Sequence, residues 1–231
     1  MPSAGVNMEQ FHVPGDLEEA RRIQADIRRR IEDDMDFFGK SPALVAGTGT
    51  SYGISSAYTA VVLVGYPRLD FFLRVEAKGA IEFPYVPGYF SFREIPPILE
   101  AFSLLPYPPD LILVHGHGYA HPRRTGLATH LGHLLKIASI GIAGRKMAGM
   151  QAREPGESRG DSSPVMMERE RVGTMLRTRE GSAPVVVSPG YRTTRAQAEE
   201  ITLACCRDSR FPLPLVLADR AAALMRRRCE G

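Results

Sequence analysis

The stretch 109–144, "PDLILVHGHGYAHPRRTGLATHLGHLLKIASIGIAG", decides the architecture. Its opening run, Leu111–Val114, is continuously apolar and is framed by proline and glycine, the pattern of a short strand buried on both faces. "GLATHLGHLLKIA" puts Leu127, Leu131, Leu134 and Leu135 on one side of a helix, and "SIGIAG" reads as a second short strand. Strand, helix and strand in succession belong to a sheet covered by helices. The tip after the first strand carries His115 and His117 between glycines, with His121, Arg123 and Arg124 close behind. In such folds ligand sites form where loops leave the strand ends.

Upstream, "PALVAGTGTSYG" reads as a strand ending in a small-residue turn. "AYTAVVLVGYP" and "LDFFLRVEAKG" are β-rich runs separated by a Pro-Arg turn, so three antiparallel strands are expected at the front of the domain. Before them, "DLEEARRIQADIRRRI" has a capping Asp16, Glu18 and Glu19 in the first turn, and Ala20, Ile23, Ile27 and Ile31 at helical spacing. "PYVPGYFSFRE" is a loop dense in aromatics and prolines, leading into a helix "EIPPILEAFSLL" whose prolines suit only its first turn. Downstream, residues 150–166 are polar and break the pattern, which predicts a mobile loop. "PVVVSPGYR" reads as a last strand, and "TTRAQAEEITLACCRDS" and "LADRAAALMRRR" as closing helices. The expected organisation is an arm over 1–14 and a single mixed α/β domain over 15–231.

With 231 residues, 44% of them apolar, the chain can bury a sizeable core. A net charge of +3 neither demands nor excludes a polyanionic partner, although arginines cluster at 28–30, 123–124 and 226–228. Three cysteines without C-x-x-C spacing argue against a disulfide framework or zinc knuckle and point to a reducing setting. No basic-then-apolar leader and no run long enough to span a membrane is visible, so a cytoplasmic protein without membrane contact is expected. Nothing in the sequence sets the oligomeric state.

Taken together, "PYVPGYFSFRE", "GHGYAHPRRTGLATHLG", "SPGYR", "LVAGTGTSYG" and "LADRAA" resemble the endonuclease V family, and the resemblance runs over roughly 15–228. It implies an RNase H-like mixed sheet flanked by helices, and an enzyme that nicks nucleic acid near deaminated purines. It further implies a pocket for a flipped base formed by Gly88, Phe90, Gly116 and Gly126, with Tyr85 as the wedge that fills the gap. His121, Arg123 and Arg124 join the substrate-binding set, the arginines as phosphate contacts. A plainer reading keeps the loop as packing over the core and its glycines as turn residues.

The chain also departs from the family. Where the resemblance implies an acid on the first strand, the residue is Gly49. The glutamate is kept as Glu94, the next aspartate falls on His115, the late histidine on Tyr191, and a lysine on Gly144. Magnesium wants hard oxygen ligands in octahedral geometry, and glycine and imidazole are poor substitutes. Asp110 is five residues from His115, about 16 Å along a strand, and so sits at the wrong end to stand in. Loss of ordinary magnesium-dependent nicking is therefore expected. Glu94 with His115 could instead hold zinc or another transition metal, His115 and His117 pointing the same way on an extended backbone. A metal-free trio of Glu94, His115 and Tyr191, with His117 alongside, is the other catalytic candidate. His117 and His121 could equally just hydrogen-bond the strand-tip loops.

Three functions follow. The leading expectation is an enzyme of non-nuclease chemistry on a small nucleoside-like or other metabolite. The first alternative is an active inosine-specific endonuclease with an unusual metal site. The second is a non-catalytic protein binding single-stranded or deaminated nucleic acid.

Overall fold

The computed structural model describes residues 11–33, 39 and 41–231. Most of the expected N-terminal arm lies outside them. The sequence order is α1 (Leu17–Asp33), β1 (Leu44–Tyr52), β2 (Ser56–Gly65), β3 (Asp70–Ala80), α2 (Phe90–Ser103), β4 (Leu111–His115), α3 (Leu127–Leu135), β5 (Ala138–Ala143), β6 (Ser162–Met167), β7 (Glu170–Leu176), β8 (Val185–Pro189), α4 (Arg195–Cys205) and α5 (Leu213–Glu230). One eight-stranded sheet runs in the order β3-β2-β1-β4-β5-β8-β7-β6. β1, β4 and β5 are mutually parallel at its centre, and the remaining pairings are antiparallel. This is the mixed, helix-flanked sheet expected from the sequence.

Strand alternation assigns the two faces. Val45, Leu111, Leu113, Ile140 and Ile142 pack with Ala198, Ile201, Leu215 and Ala218 of α4 and α5. Ala46, Ile112 and Val114 pack with Ile95, Ile98, Leu127 and Leu131 of α2 and α3. Odd positions of β1 and β4 therefore look at α5, and even positions look at α2 and α3. Small residues on the odd face of β1 let α5 lie flush. A Cβ at Gly47 would stand 2.3 Å from the Pro214 carbonyl carbon, and one at Gly49 would stand 2.4 Å from the Asp219 nitrogen.

Two local expectations change. α2 starts at Phe90, so Pro96 and Pro97 lie inside it rather than in its first turn. A proline at 97 cannot donate to the Arg93 carbonyl, and the Tyr52 hydroxyl lies 3.4 Å from that oxygen instead. The stretch 150–166 is not a loop throughout. Ser162–Met167 form β6, which pairs with β7 into a hairpin at the sheet edge. Its turn, Glu168-Arg169, adopts φ of 52° and 71° without glycine or asparagine, which hid it from a reading of turn residues. Pro164 is tolerated because β6 is an edge strand. Among the described residues no helix is long and apolar enough to cross a membrane.

Candidate functional site

Glu94 lies in the first part of α2 and is only 7% exposed. Its carboxylate accepts a hydrogen bond of 2.5 Å from the Tyr52 hydroxyl at the end of β1. Burial pushes its pKa above the ordinary carboxylate value, against the opposing pull of hydrogen bonds from Tyr52 and Thr50 and the charges of Arg93 and His115. Tyr52 is itself braced, with the Arg93 guanidinium 4.2 Å above its ring and Arg226 donating to its carbonyl at 2.6 Å. Glu94 and its two hydroxyl partners thus meet on the α2 face of β1.

His115, at an odd position, looks the other way. Its Nε2 stands 2.8 Å from Asp219 Oδ2 on α5, and its ring meets Phe211 edge-on at 4.9 Å. The carboxylate lies off the ring N–H direction, so Nε2 is close to a charge but makes no aligned hydrogen bond. Asp219 had no role in the sequence reading, although "LADRAA" was among the resembling stretches. It is the acid nearest Gly49: its Oδ1 lies 2.6 Å from where a Cβ on Gly49 would stand.

The other expected catalytic groups do not join this cluster. Tyr191 is 1% exposed and packs with Ile27 and Ile31 of α1, with the His133 ring edge-on at 5.7 Å. The trio of Glu94, His115 and Tyr191 is therefore not assembled, because the chain turns Tyr191 under α1. His117 hydrogen-bonds the backbone at Arg145 instead of pairing with His115. Among the described residues no three His, Cys, Asp or Glu side chains converge as metal ligands. Asp110 lies just before β4, at the opposite end of the strand from His115, and accepts from the Ala43 and Leu44 amides at 2.9 and 2.8 Å.

The loop over 84–89 lies beside the strand tip. Tyr85 in this loop is 65% exposed, with Phe90 edge-on 6.1 Å away. Gly88 has φ +82°, a region that disfavours any side chain, and Gly116 has φ +155°. A Cβ at Gly126 would meet the His117 carbonyl at 2.2 Å, so this glycine permits a close backbone approach. His121 and Arg123 both reach the Gly88 carbonyl, at 3.1 and 2.5 Å, rather than solvent. Arg124 is 4% exposed and binds Glu170 at 2.8 Å and the His121 carbonyl at 3.0 Å. Both arginines are committed to internal contacts.

An RNase H-like sheet, a glycine-lined strand tip and an overhanging aromatic loop are now in place. The family model for endonuclease V matches residues 25–220. The chain belongs to the endonuclease V family. The endonuclease V of Roseiflexus sp. (strain RS-1) is 43% identical over 210 residues, covering 91% of this chain and 93% of that protein. That of Methanopyrus kandleri is 39% identical over 218 residues, covering 93% and 91%. Among solved structures, endonuclease V from Streptomyces avermitilis superposes with a TM-score of 0.87 at 36% identity, covering 95% of this chain and 96% of that one. These relatives overturn the leading expectation of non-nuclease chemistry on a small metabolite. Similarity of this degree across nine tenths of the chain runs to endonuclease V, and nothing in it marks a repurposed enzyme.

Three histidines near this tip are held neutral. Burial lowers His117 to about 4, against the opposing backbone hydrogen bond at Arg145. Burial also lowers His121 to about 3, helped by the Arg123 charge. His130, hydrogen-bonded to Ser91 at 3.1 Å, is lowered by burial to about 3. Because each folded-state value lies below the unfolded one of 6.5, their contribution to stability is full above pH 6.5 and is lost as pH falls toward the folded values. Each costs up to about 1.4 kcal/mol per pH unit in that window. Urea unfolding at pH 5 should therefore give a clearly lower midpoint than at pH 7.5. Equal midpoints would mean that these rings charge without opening the fold.

Proposed function

We propose that this member of the endonuclease V family recognises a deaminated purine in a nucleic-acid strand and nicks the strand beside it, with a cleavage centre that departs from a carboxylate-bound magnesium site. The observation that carries the recognition half is Tyr85, an aromatic left exposed on a loop fixed beside the glycine-lined strand tip. A flipped base leaves a gap in the stack that such a ring fills. Inosine-containing DNA or RNA is the fitting substrate class.

The departure rests on the donor set. Magnesium needs several hard oxygens around one point. Here Glu94 turns to the α2 face, His115 and Asp219 meet on the α5 face, and Gly49 has no side chain to bring between them. These residues do not fit a magnesium ion held by carboxylates, and no step is assigned to one. What the chain's own groups offer is proton handling. Burial holds the proton on Glu94 to higher pH than on an ordinary carboxyl, and the His115 imidazole sits beside a carboxylate.

The deciding experiment is cleavage of inosine-containing DNA and RNA in chelator, magnesium, manganese and zinc in turn, beside Glu94→Ala. Cleavage abolished by the variant supports the nicking reading, cleavage seen with magnesium alone overturns the departure from a magnesium centre, and no cleavage under any condition by folded protein overturns the whole. Tyr85→Ala tests recognition separately. Stacking on an aromatic contributes about 1–3 kcal/mol per base, so affinity for an inosine-containing strand should fall roughly 10- to 100-fold. The melting temperature should hold, because the side chain is exposed. Undiminished binding by the variant would remove Tyr85 from the recognition surface.

A further inference from the structure

The loop that carries Tyr85 is held by a helix that the sequence reading left out of the site. Gln24 lies mid-way along α1 and is 1% exposed. Its Nε2 donates to the Gly88 carbonyl at 3.1 Å and to the Thr125 carbonyl at 3.2 Å. Its Oε1 accepts from Arg123 Nε at 2.5 Å, and its own backbone carbonyl accepts from the Thr125 hydroxyl at 3.0 Å. One side chain therefore ties together the wedge loop, the residues following the strand tip and α1.

The Gly88 carbonyl is the centre of the knot. Besides Gln24 it receives Arg123 Nη2 at 2.5 Å and His121 Nε2 at 3.1 Å. His121 Nδ1 accepts the Arg123 backbone N–H at 3.2 Å, which leaves the proton on Nε2 for Gly88. Arg123 also lies over the Tyr89 ring at 4.3 Å. Three donors from two separate segments thus aim at one carbonyl, on a residue whose φ of +82° already departs from ordinary backbone. A buried polar network whose members are paired fixes a single geometry, and a loop fixed before binding does not have to be ordered during it.

We infer that Gln24 is a positioning residue for base recognition, setting the pose of the 84–89 loop through the Gly88 carbonyl and thereby the preference for a deaminated purine. The inference rests on the recognition reading above. Gln24 touches no substrate in this scheme and acts only through Gly88, Arg123 and Thr125. A purely structural glutamine would change stability, or all affinities equally. A positioning residue changes the ratio between bases.

The test is equilibrium binding, in chelator, of a fluorescent single strand carrying one inosine, and of the same strand carrying adenine there. Wild type, Gln24→Ala, Gln24→Met and Arg123→Lys are compared. Methionine keeps the volume but removes the donors and acceptor, and lysine keeps the charge of Arg123 but loses its fork. The expected result is a roughly tenfold loss of inosine affinity in each variant, from restored loop freedom, with the adenine strand changed less than about twofold. Variants that fold and keep the wild-type ratio would overturn the positioning role alone. A wild-type protein without preference for inosine would overturn the recognition reading first, and this inference with it. Should Gln24→Ala fail to fold, Gln24→Met and Arg123→Lys give the same readout.

Discussion

Replacing Glu94 by glutamine is expected to lower cleavage of an inosine-containing strand by at least about 100-fold, the lower range for removing a positioned proton-transfer group, while making the chelator-treated protein more stable at neutral pH. The two effects have one cause. Glu94 is buried and its pKa is raised, chiefly by that burial. Above the unfolded value of 4.5 the unfolded chain ionises this carboxyl more readily than the folded one. The contribution of Glu94 to folded stability therefore declines as pH rises from there through the folded-state value, opposite in sign to that of the histidines. Glutamine keeps the shape and an oxygen for the Tyr52 hydroxyl but removes the charge, so the decline disappears. Urea unfolding of wild type and Glu94→Gln at pH 5 and pH 8 should show a gap that widens at the higher pH, to about 1 kcal/mol or more. Binding to the inosine-containing strand should be retained, since the pocket and wedge lie elsewhere. A variant that still cleaves at the wild-type rate would remove Glu94 from the chemistry. One that is less stable at pH 8 would mean that the carboxylate is better paired than its burial allows.

The sheet was legible because its central strands are short apolar runs between glycines and prolines, and because Leu127, Leu131 and Leu135 fall on a helical stripe. The β6–β7 hairpin was not, since its turn uses Glu168 and Arg169 at positive φ and its outer strand opens with two serines and a proline. The candidate site was legible where a motif sits on one stretch of chain: His115 ends β4 and Glu94 falls in α2, although the helix begins earlier, at Phe90. It failed where partners come together only through packing. Tyr191 follows β8 in sequence but turns under α1 toward Ile27 and Ile31. Asp219 belongs to a helix whose approach to β1 depends on the lack of side chains at Gly47 and Gly49. Gln24 reads as one polar residue on an amphipathic helix. Its role appears only when two carbonyls, a threonine hydroxyl and an arginine from distant segments are placed around it.

Gly49→Asp, the substitution that would put an acid back on β1, is expected to destabilise the protein rather than repair it. A Cβ at position 49 would stand 2.4 Å from the Asp219 nitrogen and 2.6 Å from the Ala218 carbonyl carbon. Both are helix backbone and cannot rotate aside. α5 would have to lift from the sheet, and it is seated there through Leu215, Ala218, Ala221 and Ala222, each at most 2% exposed. Overpacking of this kind costs about 3 kcal/mol, which for a domain of this size corresponds to a fall in melting temperature of roughly 6–12 °C. The new carboxylate would also face Asp219, whose Oδ1 is 2.6 Å from that same Cβ position, so two like charges would compete for one space. Gly49→Ala separates the two terms. It carries the steric cost without the charge, and the further loss in Gly49→Asp measures the repulsion. His115→Asp serves as the contrast: it also brings a carboxylate toward Asp219, which stands 2.8 Å from the His115 ring, but without the steric cost, because a side chain is already accommodated there and is 30% exposed. Thermal melts of the three variants should therefore rank His115→Asp above Gly49→Ala, and Gly49→Asp last. An unchanged melting temperature in Gly49→Asp, or magnesium-dependent cleavage gained by it, would show that α5 yields freely. The glycine would then be a lost ligand rather than the residue that lets α5 bring Asp219 to β1.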